Sequence, residues 1–166
     1  LRIADAFAAD LSKAFVDENF KFYGTVLSGV PQNKSRWKRG VDLVEGTLGE
    51  ALGELYVKQY FPAENKAKME QLVANLMAAY RQSIESLDWM TPATKVKAQE
   101  KLAAIMLKIG YPDHWRDYSA LTIKPNDLIG NIIAAHKFGY QYELNKLGKP
   151  VDRSEWGMSP QTVNAY

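Results

Sequence analysis

The sequence contains no cysteine and only two histidines among its 166 residues. The lack of cysteine excludes disulfide bonds, a thiolate nucleophile and a zinc–thiolate site. The two histidines, His114 and His136, lie far apart in the sequence and show no spacing that is typical of metal ligands. We therefore expect His136 to be an ordinary helix residue and His114 to be a structural residue of a loop.

The sequence also lacks a strong excess of charge and any long apolar run. The 21 Lys and Arg residues nearly balance the 19 Asp and Glu residues, which argues against a protein built around nucleic-acid phosphate contacts. The longest basic cluster, Arg36 to Arg39, is expected to form a solvated helix face. No stretch of 18 consecutive apolar residues occurs, so no membrane-spanning segment is predicted. There is no glycine-rich phosphate loop and no serine framed as a nucleophile elbow.

What remains is a globular, mainly α sequence. Hydrophobic residues make up 46% and charged residues 24% of the chain, close to the average of folded domains. Apolar residues recur at the spacing of amphipathic helices and predict five of them, over residues 3–27, 35–60, 64–87, 92–106 and 125–147. Thr91 and Pro92 fit the N-cap and first position of the fourth helix. A short extended segment is predicted near 107–111, and a β-strand at 161–166.

The second predicted helix contains an unusual number of glycines: Gly40, Gly46, Gly49 and Gly53. Each glycine costs about 1 kcal/mol relative to alanine inside a helix. Because Gly46, Gly49 and Gly53 share one face, we expect another segment to approach that face closely. A ligand that approaches the same backbone is the alternative interpretation.

The carboxylates of the second helix give little sign of an active site. Glu50 and Glu54 stand four residues apart, a spacing that could serve acid–base chemistry. We expect them instead to be a solvated surface pair. From the residues alone, the sequence predicts a helical module without a visible active site.

Several stretches of the sequence together resemble the neprilysin family of zinc metallopeptidases, which includes the endothelin-converting enzymes and bacterial oligopeptidases. The resemblance covers essentially the whole chain in a consistent order. Its stretches are N-F-K-F-Y-G-T-V-L-S-G (19–29), R-W-K-R (36–39), G-E-A-L-G-E-L-Y-V (49–57), Y-F-P (60–62), L-D-W-M-T-P-A-T-K-V-K-A (87–98), K-I-G-Y-P-D-H-W (108–115) and W-G-M-S-P-Q-T-V-N-A-Y (156–166).

The resemblance implies a two-lobed peptidase whose lobes enclose a chamber for small peptides. Residues 1–150 would belong to the helical lobe, and residues 151–166 would return to the catalytic lobe as an edge strand. In this family N-A-Y or N-A-F lies beside the catalytic cleft. Asn164, through its side-chain amide, and Ala165, through its backbone, would therefore bind the main chain of a peptide substrate. An exposed strand edge and an amide group suit that role, because each offers both a donor and an acceptor.

The resemblance also implies zinc, but no zinc ligand in this stretch of sequence. The family's H-E-x-x-H motif and its later glutamate, which follow N-A-Y, do not occur here. We therefore expect no catalytic or metal-binding residue in this segment. Zinc-assisted hydrolysis would belong to the full-length enzyme, and the isolated 166 residues, a fragment that depends on the remainder of the catalytic lobe, would be inactive. No role in binding a substrate carboxylate is transferred to Arg36 or Arg39.

Two other functions remain open at this point. The chain could be a stand-alone helical module that binds peptides or a partner without catalysis, or a structural subunit that pairs with a separate catalytic chain. Because the animal members of the family are disulfide-bonded and membrane-anchored, the lack of cysteine favours a bacterial enzyme. For such an enzyme a location in the cell envelope, in the periplasm or outside the cell is favoured over the cytoplasm.

Overall fold

The computed structural model describes residues 2–164 and is mainly helical, as predicted. The chain divides into two structural units. The first comprises Leu1–Gly49 with Asp117–Lys149, and the second comprises Glu50–Arg116 with Pro150–Tyr166. Within the described residues there is no β-strand, and no helix is long and apolar enough to cross a lipid bilayer.

The first predicted helix, residues 3–27, is broken in the structure. It comprises α1 (Arg2–Ala6), a 3₁₀ turn (Ala8–Asp10), α2 (Lys13–Asn19) and a π-helical segment (Phe20–Val26) that continues α2. At Ser12 the backbone is extended, with φ −65° and ψ 161°, so α2 starts anew there. The side chain of Ser12 forms no capping hydrogen bond, and the apolar spacing gives no sign of the break.

The second predicted helix forms α3 (Arg36–Tyr60), which is kinked at Leu48. There the backbone leaves helical geometry, with φ −132° and ψ 32°. Immediately before the kink the hydroxyl of Thr47 donates a hydrogen bond of 2.7 Å to the carbonyl oxygen of Leu43. Such back-bonding by threonine bends helices, and it accounts locally for the change in direction.

The third and fourth predicted helices form the hairpin of α4 (Ala63–Ser86) and α5 (Pro92–Ala103). The hydroxyl of Thr91 accepts a hydrogen bond of 3.3 Å from the backbone N–H of Thr94, which confirms the predicted N-cap. The amine of Lys95 donates to the carbonyl oxygen of Glu85 at 2.7 Å and thereby satisfies an acceptor at the C-terminus of α4. Helix α5 ends three residues earlier than predicted.

The fifth predicted helix forms α6 (Leu128–Leu144), shorter at both ends than the predicted 125–147. The carboxylate of Asp127 accepts a hydrogen bond of 3.0 Å from the backbone N–H of Gly130 and caps the helix. Asn126 before it has φ +60°, a left-handed conformation that ends any helix begun at Pro125. Ile132 and Ala135 are the buried residues of α6.

The β-strand predicted at 161–166 is not supported over its described part. The backbone turns at Pro160 and Gln161, where the N–H of Thr162 donates to the carbonyl oxygen of Ser159 at 3.0 Å, and residues 162–164 have no regular secondary structure. The N–H of Asn164 donates in turn to the carbonyl oxygen of Thr162 at 3.1 Å. A strand needs a neighbouring strand to complete its hydrogen bonds, and no segment of residues 2–164 pairs with this one. Residues 107–111, predicted as a short extended segment, form neither a helix nor a strand.

Little of the apolar surface is buried in either unit. The first unit buries Ala8, Ile132 and Ala135, and the second buries Val57 and Leu102. Along α4, by contrast, Leu72, Leu76 and Tyr80 remain about half exposed.

Candidate functional site

The C-terminal segment of the second unit lies directly on α3 at Gly53. A Cβ atom at Gly53 would stand 2.7 Å from the Cδ of Pro160 and 2.7 Å from the Oε1 of Gln161. Both distances are shorter than any normal contact, so only glycine allows this approach. The prediction that a second segment approaches the glycine face is confirmed at Gly53. At Gly40 and Gly46, by contrast, the space around such a Cβ is open.

An ionic network holds the same segment to α3 and to the loop after α5. Glu50 of α3 accepts a hydrogen bond of 2.5 Å from the backbone N–H of Arg116, and its other oxygen lies 3.6 Å from the Nε of that arginine. The Nη2 of Arg116 lies 4.0 Å from the Oε1 of Glu155. The prediction of a solvated Glu50–Glu54 pair is therefore wrong for Glu50, which is half-buried and serves as an anchor. Glu54 pairs instead with Lys58, at 2.9 Å.

The loop that follows α5 packs its aromatic side chains together beside this network. Tyr111 stacks on Trp115 with ring centroids 6.0 Å apart and meets Phe61 edge to face at 6.1 Å. Gly110 has φ +73°, and a Cβ atom there would lie 2.5 Å from the ring of Phe61. The turn therefore requires glycine for its backbone conformation and for its contact with Phe61.

Lys66 of α4 attaches the loop that follows α5 to the hairpin of α4 and α5. Its amine donates to the carbonyl oxygen of Tyr111 at 2.9 Å and to the carboxylate of Asp113 at 2.6 Å, and it lies 4.5 Å from the centre of the Tyr111 ring. The hydrogen bond and positive charge of Lys66 lower the pKa of Asp113, with a smaller contribution from His114. Elsewhere, the backbone N–H of Ser119 lowers the pKa of Asp117, helped by the serine side chain.

A cleft of about 620 Å³ opens within the second unit between the end of α5 and the C-terminal segment. Its lining includes Lys108, Arg153, Trp156, Met158 and Asn164. The amine of Lys108 donates a hydrogen bond to the backbone carbonyl of Glu155, which ties the two sides of the cleft together. A cavity of this size with apolar and charged groups on its walls is typical of a site for a small molecule or a peptide side chain.

The structure places Asn164, the first predicted substrate-binding residue, in the lining of this cleft and leaves it exposed. Ala165, the second, lies outside the described residues. Lys108 and Arg153 share the cleft with Asn164 and were not predicted as site residues. Lys108 begins one of the stretches that carry the family resemblance, and Arg153 lies three residues before another. Their nearness to these stretches was the one sign in the sequence that they could belong to the site.

The side chains that could bind zinc are dispersed over the part of the chain that the structure describes. Within residues 2–164 no three or more His, Cys, Asp or Glu side chains come together in a group that could hold a metal ion. His114 and His136 are both exposed and belong to different structural units. No catalytic step is therefore assigned to a metal on these residues.

The basic cluster of α3 forms a solvated face, as predicted, except at Arg39. Arg36, Trp37 and Lys38 are exposed. The amine of Lys38 lies 5.5 Å from the centre of the Trp37 ring. Arg39 is half-buried, and its guanidinium donates to the carbonyl oxygen of Ala9 at 3.4 Å.

Comparison with known proteins decides the family. The model of Peptidase family M13 matches residues 1–112, about two thirds of the chain. The chain belongs to peptidase family M13.

The relatives of this M13 chain are peptidases, and they are much longer. The chain is 34% identical to Neprilysin-3 of Drosophila melanogaster over 163 residues, which cover 94% of the chain and 21% of that protein. It is 36% identical to the neutral endopeptidase of Lactobacillus helveticus, covering 99% of the chain and 26% of the relative.

A solved structure shows the same fold. The zinc metalloprotease Zmp1 of Mycobacterium tuberculosis, in its open state, matches 99% of the M13 chain with a TM-score of 0.92 and 51% identity. The match covers 26% of that protein. The M13 chain thus spans about a quarter of the length of the proteins it matches.

Proposed function

We propose that this chain is the helical part of a zinc-dependent endopeptidase that hydrolyses small peptides. The match to the M13 family over residues 1–112 carries the proposal, and the printed names of the relatives include a neutral endopeptidase and a zinc metalloprotease. The zinc ligands would lie outside these 166 residues, because the sequence contains no H-E-x-x-H motif.

Within that enzyme, residues 1–150 would form part of a helical lobe that encloses the substrate chamber, and residues 151–166 would lead into the catalytic lobe. The half-exposed apolar side chains of α4, including Leu72, Leu76 and Tyr80, support the presence of further protein around this helix. Contiguous exposed apolar surface is typical of a face that another part of a protein covers.

The segment that ends the described chain would bind the main chain of the peptide substrate. Asn164 supports this role because it is exposed and lines a cleft large enough for part of a peptide. Its amide can donate one hydrogen bond and accept another, which matches one peptide unit of an extended substrate. Ala165 would add backbone hydrogen bonds next to it.

A pair of asparagine variants tests this role in the protein expressed from its complete reading frame. We expect Asn164→Ala to lower kcat/KM for a small peptide by about tenfold or more, because hydrogen bonds to the substrate main chain are lost. Asn65→Ala is the matched control, since Asn65 is exposed on α4 and does not line the cleft. Equal kcat/KM values for the two variants would contradict the role of Asn164.

The same purified protein distinguishes the proposed peptidase function from that of a stand-alone binding module. Cleavage of the peptide that stops on removal of zinc supports the enzyme. Peptide binding without cleavage by the complete protein would contradict the proposal and favour the stand-alone module. A location in the bacterial cell envelope or outside the cell stays a prediction, which cell fractionation of the native host would test.

A further inference from the structure

We infer that the cleft beside Asn164 recognises a carboxylate of the substrate, and that Arg153 is the residue that binds it. The inference rests on the proposed peptidase function and adds a substrate class to it: peptides with an acidic side chain close to the scissile bond. It makes Arg153 a specificity-determining residue, one that selects among substrates and takes no part in the chemical step.

The cleft brings Arg153 and Asn164 to one cavity. Both residues line the same space of about 620 Å³ within the second structural unit. A peptide whose main chain meets Asn164 therefore places its neighbouring side chains in the cavity that Arg153 borders. Successive side chains of an extended peptide point to opposite sides, so one particular position of the substrate would face Arg153.

The guanidinium of Arg153 is available for a ligand. Arg153 is exposed, and it forms no salt bridge with a carboxylate anywhere in residues 2–164. The neighbouring Asp152 is engaged in its own turn, where one carboxylate oxygen accepts hydrogen bonds from the backbone N–H of Ser154 at 2.8 Å and from its hydroxyl at 2.6 Å. Asp152 also lines the cleft, and Ser154 holds its carboxylate in this turn.

The cleft is lined by two cations, Lys108 and Arg153, and by one carboxylate, Asp152, so its net charge favours an anion. Lys108 adds a second positive charge, with its amine held by the carbonyl of Glu155. Trp156 and Met158 are half-buried and supply apolar walls. An arginine binds a carboxylate through two parallel hydrogen bonds, and nearby apolar groups reduce the screening of the pair by water. A glutamate side chain combines such a carboxylate with a short apolar stem.

The test compares matched peptides in the protein expressed from its complete reading frame. Each pair of peptides is identical except for Glu or Gln at one position, and the position is moved over the three residues on either side of the scissile bond. At one position we expect the unmodified enzyme to cleave the Glu peptide with a kcat/KM about three- to tenfold above that of the Gln peptide, as for a partly exposed ion pair.

Variants of Arg153 then assign that preference. Arg153→Ala should reduce the Glu/Gln ratio to about one. Arg153→Glu should reverse the charge preference, so that a Lys peptide is cleaved faster than its Gln counterpart. Lys149→Ala is the matched control, because Lys149 is an exposed cation nearby in sequence that does not line the cleft. It should leave every ratio unchanged.

The outcomes separate this inference from the proposed function. If the Gln peptides are cleaved but no position shows a preference for Glu, the inference is overturned and the peptidase function stands. The same holds if a Glu preference survives both Arg153 variants. If no peptide is cleaved at all, the proposed function fails and the inference fails with it.

Discussion

At the scale of single residues, Gly53 does the most to position the cleft. The C-terminal segment lies against α3 only because Gly53 has no side chain, and this segment carries Arg153, Trp156 and Asn164. Glycine destabilises a helix by about 1 kcal/mol relative to alanine, and at Gly53 the contact with the C-terminal segment offsets this loss.

Replacement of Gly53 by alanine should therefore destabilise the protein. The new Cβ would meet Pro160 and Gln161 at 2.7 Å, and overpacking of this kind costs about 1–3 kcal/mol. Gly46→Ala in the same helix is the control, because the space around its Cβ is open. We expect it to be neutral or to stabilise by up to about 1 kcal/mol. Urea denaturation of the two variants measures the difference, and equal stabilities would refute the close approach at Gly53.

The sequence allowed part of this site to be predicted and concealed the rest. Four glycines in one helical pattern indicated a close approach, and the structure shows it at Gly53. Lys108 and Glu155 could not be paired in advance, because they lie 47 positions apart and helix α6 lies between them in the sequence. Local spacing carries no information about such contacts, so the cleft itself was not predicted.

At the scale of elements, caps and breaks decide where the helices end. The prediction for α4 (64–87) is within one residue of the observed Ala63–Ser86 at each end, because its apolar spacing is regular and Pro62 precedes it. The prediction of one helix over 3–27 is wrong, since Phe7, Leu11 and Phe15 keep a helical spacing across a backbone that turns at Ser12. The spacing of apolar residues predicts which side chains share a face. It does not reveal a break in the helix when the spacing continues across the break.

The start of α5 offers a direct test of capping. Thr91 accepts the hydrogen bond of the Thr94 backbone N–H, and Pro92 follows it as the first helical residue. Thr91→Ala should lower the free energy of unfolding by about 1 kcal/mol, because that N–H loses its partner. Thr91→Ser keeps the acceptor and should restore most of the loss. Thermal unfolding of both variants distinguishes the two, and an alanine variant as stable as the serine variant would rule out the cap.

At the scale of the whole molecule, the chain matches only a part of much longer proteins. It belongs to peptidase family M13, spans about a quarter of the length of its relatives, and buries few of its apolar side chains within residues 2–164. The described residues form helices and a charged cleft beside Asn164. The central proposal is that this segment shapes the substrate site, whereas the zinc ligands belong to sequence outside it.

The most direct test of that claim is the zinc content of two purified proteins, measured by elemental mass spectrometry together with their intact masses. We expect no bound zinc and no peptide cleavage for the 18.7 kDa chain of 166 residues. The protein from the complete reading frame should carry one zinc ion per chain and lose its peptidase activity when a chelator removes it. Stoichiometric zinc on the 18.7 kDa chain, or its absence from an active complete protein, would contradict the account.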